Sequence, residues 1–389
     1  MKNRTLSYLK ILFLSGILLT TMFTGCVQQD QTLESPGQEE PQLSEIQLDQ
    51  PSILPDWENG EYHEYYGTMQ TLVSFNDDFP DLVYVFSIGK SVLGKDIWCI
   101  RITNENISEV KLSCLIDGCI HGNEWEAGES CLYLAEYLLI NFGNNATVTN
   151  ILNTTEVYLV PLVNPDGRQN DERWNENGID LNRNFDVDFG RLVGRSLRIG
   201  KLFGLIKIPG ILLPRHGLFT NCGRRPFSEP EAQAVRDLMK ALNYHDFSFY
   251  VNCHTAVHNI ISPWKVFNPP FEMMQRERNV FDAVKGWVDK NTEYENTPVT
   301  YNGKVLYSSG TAMDWCFKEF RIPCFIFEIL SKEYEPMMGK GKHDHLVHWM
   351  KTTLPVFLYL LVNIKNLHQW KTPAIQPALP EGVPPSPLC

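Results

Sequence analysis

Residues 112–140 read LSCLIDGCIHGNEWEAGESCLYLAEYLLI. The opening LSCLIDGCI is an apolar run of strand length, and the closing SCLYLAEYLLI carries its apolar residues at helical spacing. Strand, short polar turn, then helix is a unit of an α/β layer. The turn places His121 and Glu124 three positions apart, where a buried strand stops. Two readings stand at this point: a turn that happens to hold a histidine, and half of a metal site. An H-x-x-E pair alone does not decide between them.

The same alternation extends from Trp57 to about Leu367. Strands are expected at VYVFSIG, IWCIRI, LSCLIDGCI, EVYLVPLV, SFYVNCH and CFIFEI. Helices are expected at EYHEYYGTMQTLVSF, GESCLYLAEYLLINF, SEPEAQAVRDLMKAL, MMQRERNVFDAVKGWVDKN and HLVHWMKTTLPVFLYLLVNI. Interleaved strands and helices predict an α/β sandwich whose parallel or mixed sheet is covered on both faces. Ligands of such sheets gather at the rim formed by the C-terminal strand ends. Ser228 and Glu231 have the spacing of a capping box opening a helix.

Outside that region the chain changes character. Lys2, Arg4 and Lys10 precede the apolar ILFLSGILLTTMF, which is short for a bilayer span, and Cys26 follows Gly25. Residues 1–26 therefore read as a secretory leader, with TGC resembling the lipobox of prokaryotic lipoproteins. Residues 27–54 are rich in Gln, Glu, Pro and Ser and read as a flexible linker. The main folded domain is expected over 55–367 and a proline-rich tail over 368–389. The expectation is an exported monomer, tethered to the outer face of the cell membrane through a lipidated Cys26 or secreted. A formal charge of −12 argues against nucleic acid, whose binding relies on clustered Lys and Arg. Residues 190–220 are the exception: Arg191, Arg195, Arg198, Lys201, Lys207 and Arg215 occur there without an acid. That basic, apolar insert suits an anionic membrane surface, a lid, or a surface excursion with no partner. Cys99, Cys114, Cys119, Cys253 and Cys324 lie in strand-like runs and read as small buried hydrophobes rather than a disulfide framework.

Three features carry chemistry. Position 122 is Gly, so the turn is not the H-E-x-x-H helix of thermolysin-like enzymes. A catalytic zinc of the His₂Glu type needs a third ligand, and His254 falls at the end of the half-buried strand FSFYVNCH. His258 follows after that strand has ended and suits the role less. Between these halves, NPDGRQNDERWNENGIDLNRNF (164–185) holds Arg173, Asn182 and Arg183, which packing does not explain. Glu328 sits inside the apolar CFIFEI; a buried carboxylate there is paired or has a raised pKa, and the latter suits a general base. His343, His345 and His348 read as the start of a surface helix rather than a second metal site.

From about Tyr62 to Leu367 the sequence resembles the zinc carboxypeptidases related to pancreatic carboxypeptidases A and B. The resemblance rests on SIGKSVLGKDIWCIRI, HGNEWEAGE, NPDGR, GIDLNRNF, FSEPE, the strand-end His254, SSGTAMDW and FIFEI, in the expected order. It implies a three-layer α/β sandwich, with a mixed eight-stranded sheet and helices on both faces. It also implies one zinc ion held by His121, Glu124 and His254, with Asp180 bonded to the far nitrogen of His121. Asn182 and Arg183 would grip the free C-terminal carboxylate of a peptide. Arg173 would stabilise the oxyanion, and Glu328 would take a proton from the attacking water and deliver it to the leaving amine. Tyr307 is the candidate for the family's mobile tyrosine, one residue closer to Gly310 than in the pancreatic enzymes, with Tyr301 as fallback. Met313 occupies the pocket-floor position, and an apolar floor there implies preference for aliphatic or aromatic C-terminal residues.

The function expected is removal of C-terminal residues from peptides or proteins. One alternative is a zinc amidohydrolase of the same fold, acting on γ-D-glutamyl cell-wall peptides or acyl-amino acids. Another is a non-catalytic peptide-binding module.

Overall fold

Strand β5 (Phe247–His254) is buried at every position, so both faces of the sheet around it are covered. The computed structural model describes residues 43–44, 52–57, 62–190, 221–255, 258–294, 300–301, 304–305, 307–329 and 346–371. The leader-like segment, most of the linker, the basic insert beyond Gly190, His343, His345 and the tail beyond Lys371 lie outside the described residues. Ser44 and Ile53 are bound to the domain: Asn363 and Asn141 each exchange side-chain amide bonds with the backbone of one of them. No described helix is long and apolar enough to cross a membrane.

The other strands of the main sheet are β1 (Val83–Lys90), β2 (Asp96–Ile102), β3 (Leu112–Asp117), β4 (Thr155–Val160), β6 (Asn259–Ile261) and β9 (Cys324–Glu328). Their order is β1-β2-β4-β3-β5-β9-β6. Pairs β4–β3, β3–β5 and β5–β9 are parallel, whereas β1–β2, β2–β4 and β6–β9 are antiparallel. The mixed sheet thus has a parallel centre, and its four central strands end on one rim. It has seven strands among the described residues where eight were expected. Among the described residues, the segment that follows β6 meets residues 307–308 through an isolated bridge, Val266 to Ser308, and adds no further strand to the main sheet. Two short strands, β7 (Thr300–Tyr301) and β8 (Lys304–Val305), pair only with each other.

Nine helices are described: α1 (Tyr65–Asp78), α2 (Trp125–Asn141), α3 (Ala146–Thr154), α4 (Pro165–Asn170), α5 (Pro230–Leu242), α6 (Gln275–Asn291), α7 (Ala312–Phe320), α8 (Leu346–Val362) and α9 (Ile364–Gln369). Side-chain parity on β5 shows how they are layered. Cys131 of α2 meets Cys253, while Cys316 of α7 lies near Tyr250, which points the other way. Hence α2 and α7 cover opposite faces. All eight described cysteines are buried and unpaired, consistent with small core residues.

Two local expectations are corrected. Strand β3 stops at Asp117 rather than Ile120, because Cys119 takes a left-handed turn at φ 51° and Gly118 N–H bonds back to Val160. The capping box is not formed: Glu229 is the N-cap of α5, Pro230 takes the first helical position, and Ser228 donates to Glu229. Glu231 is instead a buried acceptor for Val92 N–H and the Asn175 amide.

Candidate metal centre

Helix α2 begins immediately after the turn that leaves β3, so His121 and Glu124 sit on the rim at the point where backbone direction reverses. Gly122 is required there. A Cβ on it would run into the backbone of Gly167 and Arg168, where α4 packs against the turn. His254 ends the neighbouring β5, and its register partner on β9 is Glu328. Adjacent strand ends therefore bring one ligand candidate and the acid of CFIFEI side by side.

One potential ligand atom from each of His121, Glu124 and His254 lies within 4.8 Å of the others, and this is the only such trio among the described residues. The Glu124 carboxylate sits between the rings, with Oε1 2.7 Å from His121 Nδ1 and Oε2 2.7 Å from His254 Nδ1. All three side chains are buried. Each ring turns its Nε2 away, to Asp180 Oδ1 at 3.0 Å for His121 and to Asn252 Oδ1 at 2.6 Å for His254. A far nitrogen that donates to an oxygen leaves the near nitrogen free to bind metal. Two imidazoles, one carboxylate and an oriented far side on each ring are a donor set that fits zinc.

Electrostatics agree with this arrangement. Burial opposes charge on Glu124, yet His121 and His254 hold its carboxyl well below the usual range. Burial likewise opposes charge on Asp180, and Arg173 with His121 holds it low. Burial lowers His254; it also works against a charged His121, but Glu124 and Asp180 outweigh it and raise that ring. Arg173 bridges the centre, donating from Nε to Asp180 Oδ2 at 3.0 Å and from Nη1 to Glu124 Oε1 at 3.2 Å.

The remaining expected residues gather around this point. Asn182 lies on a single 3₁₀ turn, Leu181–Arg183, its amide nitrogen 3.0 Å from His254 Nε2 and its oxygen accepting from Ala312 N–H. Arg183 has no ion-pair partner among the described residues; its Nη1 donates to the Asn182 carbonyl. Gly310, at φ +66°, packs so closely on Arg183 that a Cβ would meet its carbonyl. Tyr307 is exposed, its ring 5.0 Å from that of Phe267. The side chain of Tyr301 lies outside the described residues. Met313 is fully buried in the core at 0% exposure. His258 packs against Tyr294 and Trp349 and is not one of the trio, and His348 meets Trp349 edge-on near Glu293.

Several supporting residues escaped the sequence reading. Asn252 precedes His254 by two, on the same side of β5, and its amide donates to Asp117 Oδ1 at 2.6 Å. Burial pushes Asp117 up to about 7, against the bonds it accepts from Asn252 and Tyr250. An aspartate inside LSCLIDG was the available signal. Behind the turn, Arg168 pairs with Glu129 at 2.9 Å, donates to the His63 carbonyl, and stacks 3.7 Å from the Trp125 ring. Glu129 also meets His63 Nδ1 at 2.7 Å.

Comparison with known proteins gives a consistent picture. The family described as zinc carboxypeptidase matches residues 68–347. Human carboxypeptidase D is 32% identical over 140 residues, which cover 33% of this chain and 10% of that protein. Human carboxypeptidase A6 is 24% identical over 302 residues, covering 71% of this chain and 62% of that one. The chain thus spans a tenth to under two thirds of these relatives. Among solved structures, thrombin activatable fibrinolysis inhibitor superposes with a TM-score of 0.62 at 19% identity, covering 80% of this chain and 76% of that one. That likeness establishes the fold.

Proposed function

Because the chain belongs to the zinc carboxypeptidase family, a family of zinc-dependent peptidases, we propose that it hydrolyses the C-terminal peptide bond of peptides or proteins. The observation that carries this reading is the convergence of His121, Glu124 and His254 beside Glu328 and Arg183 on one rim. Zinc held by the three ligands supplies the Lewis acidity that activates water and polarises the scissile carbonyl. The protein's own groups do the rest. Arg183 binds the terminal carboxylate as a planar fork, and its lack of an acid partner among the described residues leaves that fork available. Asn182 lines the same place through its 3₁₀ turn. Glu328 takes a proton from the attacking water and returns it to the departing amine. Arg173, fixed by Asp180 and Glu124, faces the carbonyl oxygen as charge develops there. Tyr307, at the exposed edge, closes over the bound residue. Export and tethering through Cys26 are part of the same proposal, on the leader-like pattern of residues 1–26.

The test uses blocked dipeptides with free or amidated C-termini and the variant Glu328→Gln. The free-carboxylate substrate is cleaved in preference, and Glu328→Gln keeps its zinc while losing turnover. Equal cleavage of both substrates favours the amidohydrolase alternative, and undiminished turnover by Glu328→Gln sinks the assigned base.

A further inference from the structure

Lys265 lies five residues beyond the midpoint of β6, partly buried, and both ends of its peptide unit are pinned. Its N–H donates to Asp314 Oδ1 at 3.0 Å, and its carbonyl accepts from Ser308 N–H at 2.7 Å. The next residues, Val266 and Phe267, run alongside Ser308 and Tyr307. Lysine is a costly choice at such a place. Burial pulls its ammonium below the ordinary value; Glu328 opposes that pull, Arg183 adds to it, Asp314 opposes it and Arg173 adds again. The charges near Lys265 are therefore those of Glu328, Arg183, Asp314 and Arg173.

No acid among the described residues pairs with Lys265. Asp314 is fully buried and committed elsewhere, with Oδ1 on the Lys265 backbone and Oδ2 on Thr311 Oγ1 at 2.7 Å. Two cations in the neighbourhood of Glu328, Arg183 and Lys265, thus have no ion pair among the described residues, whereas Arg173 is held by Asp180 and Glu124; the Lys265 carbonyl is tied to Ser308, two residues before the Gly310 that packs on Arg183. A peptide ending in an apolar residue brings one carboxylate to this place. A peptide ending in glutamate or aspartate brings two. Buried charge is tolerated when a counter-charge completes it, and each cation then has one.

We propose that Lys265 is a specificity-determining residue that receives the side-chain carboxylate of an acidic C-terminal residue while Arg183 holds its α-carboxylate. This rests on the carboxypeptidase reading above, and it replaces an expectation tied to Met313, whose side chain is sealed in the core. Lys265 touches the bound side chain, not the reacting atoms, so its removal acts on the choice of substrate.

The experiment compares kcat/KM of the zinc-loaded full chain on blocked dipeptides ending in Glu, Asp, Leu and Lys, for the parent, Lys265→Met and Lys265→Glu. The parent prefers Glu or Asp. Lys265→Met loses about 30-fold or more on acidic ends, the cost of truncating one partner of a desolvated charge pair. It keeps or improves cleavage of the Leu substrate, which also shows that the variant is folded. Lys265→Glu moves the preference toward the Lys substrate. The inference is overturned if the parent prefers Leu, or if Lys265→Met lowers all four substrates in parallel, since that marks a lysine serving Glu328 or the fold. If the parent cleaves none of the four, the carboxypeptidase reading itself has failed and takes this inference with it.

Discussion

Replacing Arg168 by Met removes the centre of the charged network behind the metal turn and leaves its volume nearly filled. The Arg168 and Glu129 side chains are 2% and 1% exposed, so their 2.9 Å pair is screened from water. Breaking a buried pair by deleting one partner costs about 3–5 kcal/mol, because the other charge is left uncompensated. Here Glu129 keeps His63 Nδ1 at 2.7 Å and the His63 N–H, which offsets part of that loss. Two bonds to the His63 carbonyl and the stack on Trp125 disappear as well. The expected destabilisation is about 3 kcal/mol, or roughly 6–12 °C in melting temperature for a domain of this order of size. Glu129→Gln alone is also destabilising, and the double variant loses less than the sum, with a coupling of about 1–3 kcal/mol. Thermal unfolding of the four zinc-loaded proteins, followed by circular dichroism, measures all of these. Melting of Arg168→Met within about 1 °C of the parent, or additive losses around the cycle, refutes a coupled buried network.

Three further outcomes are expected. Asp180→Asn keeps an acceptor near His121 Nε2 but removes its charge, and weakens zinc binding about 10–100-fold in competition with a chromophoric chelator; unchanged affinity refutes the orienting role. Gly310→Ala puts a Cβ against the Arg183 carbonyl at φ +66°, at a conformational cost of about 1–2 kcal/mol beyond the clash. It raises KM for free-carboxylate peptides at full zinc content, and an unchanged KM would show that Arg183 does not bind substrate. Burial works against a charged His63, but Glu129 outweighs it and raises the ring above 6.5. The stability from this pair is therefore fully present below the unfolded value and is lost as pH rises through the folded one. Arg168 pulls His63 down, so in Arg168→Met that loss moves to higher pH. Melting temperatures across pH for the parent and His63→Gln read this out, and parallel curves would contradict it.

The layer architecture was legible because each central strand is a short apolar run and each helix keeps its apolar spacing, as in LSCLIDG followed by SCLYLAEYLLI. Those signals come from burial, which selects residue type locally. Their limits were equally local. Strand β3 ends early because Cys119 turns left-handed and Gly118 bonds to Val160 across the sheet, and neither effect belongs to one stretch of sequence. The capping box failed because Glu231 serves Val92 and Asn175, more than fifty residues away in the chain.

For the site, the residues themselves nominated His121, Glu124, His254, Arg173, Asn182, Arg183 and Glu328, since chemistry-bearing residues at strand ends and in a dense polar loop stand out from packing, and the family resemblance added Asp180. Only the tertiary structure decided how they meet. Register sets His254 opposite Glu328, and the packing of Gly122 on Gly167 seats helix α4 against the turn that carries His121 and Glu124. Parity on β5 turns Asn252 to the far nitrogen of His254. Lys265 shows the same division: an ordinary lysine in SPWKVF, it becomes a candidate reader of acidic ends only because the fold ties its backbone to Asp314 and Ser308, beside the Gly310 that packs on Arg183. Residue type is dictated by burial and carries over into sequence, whereas the distances between charges depend on strand register and loop packing, which no single segment encodes.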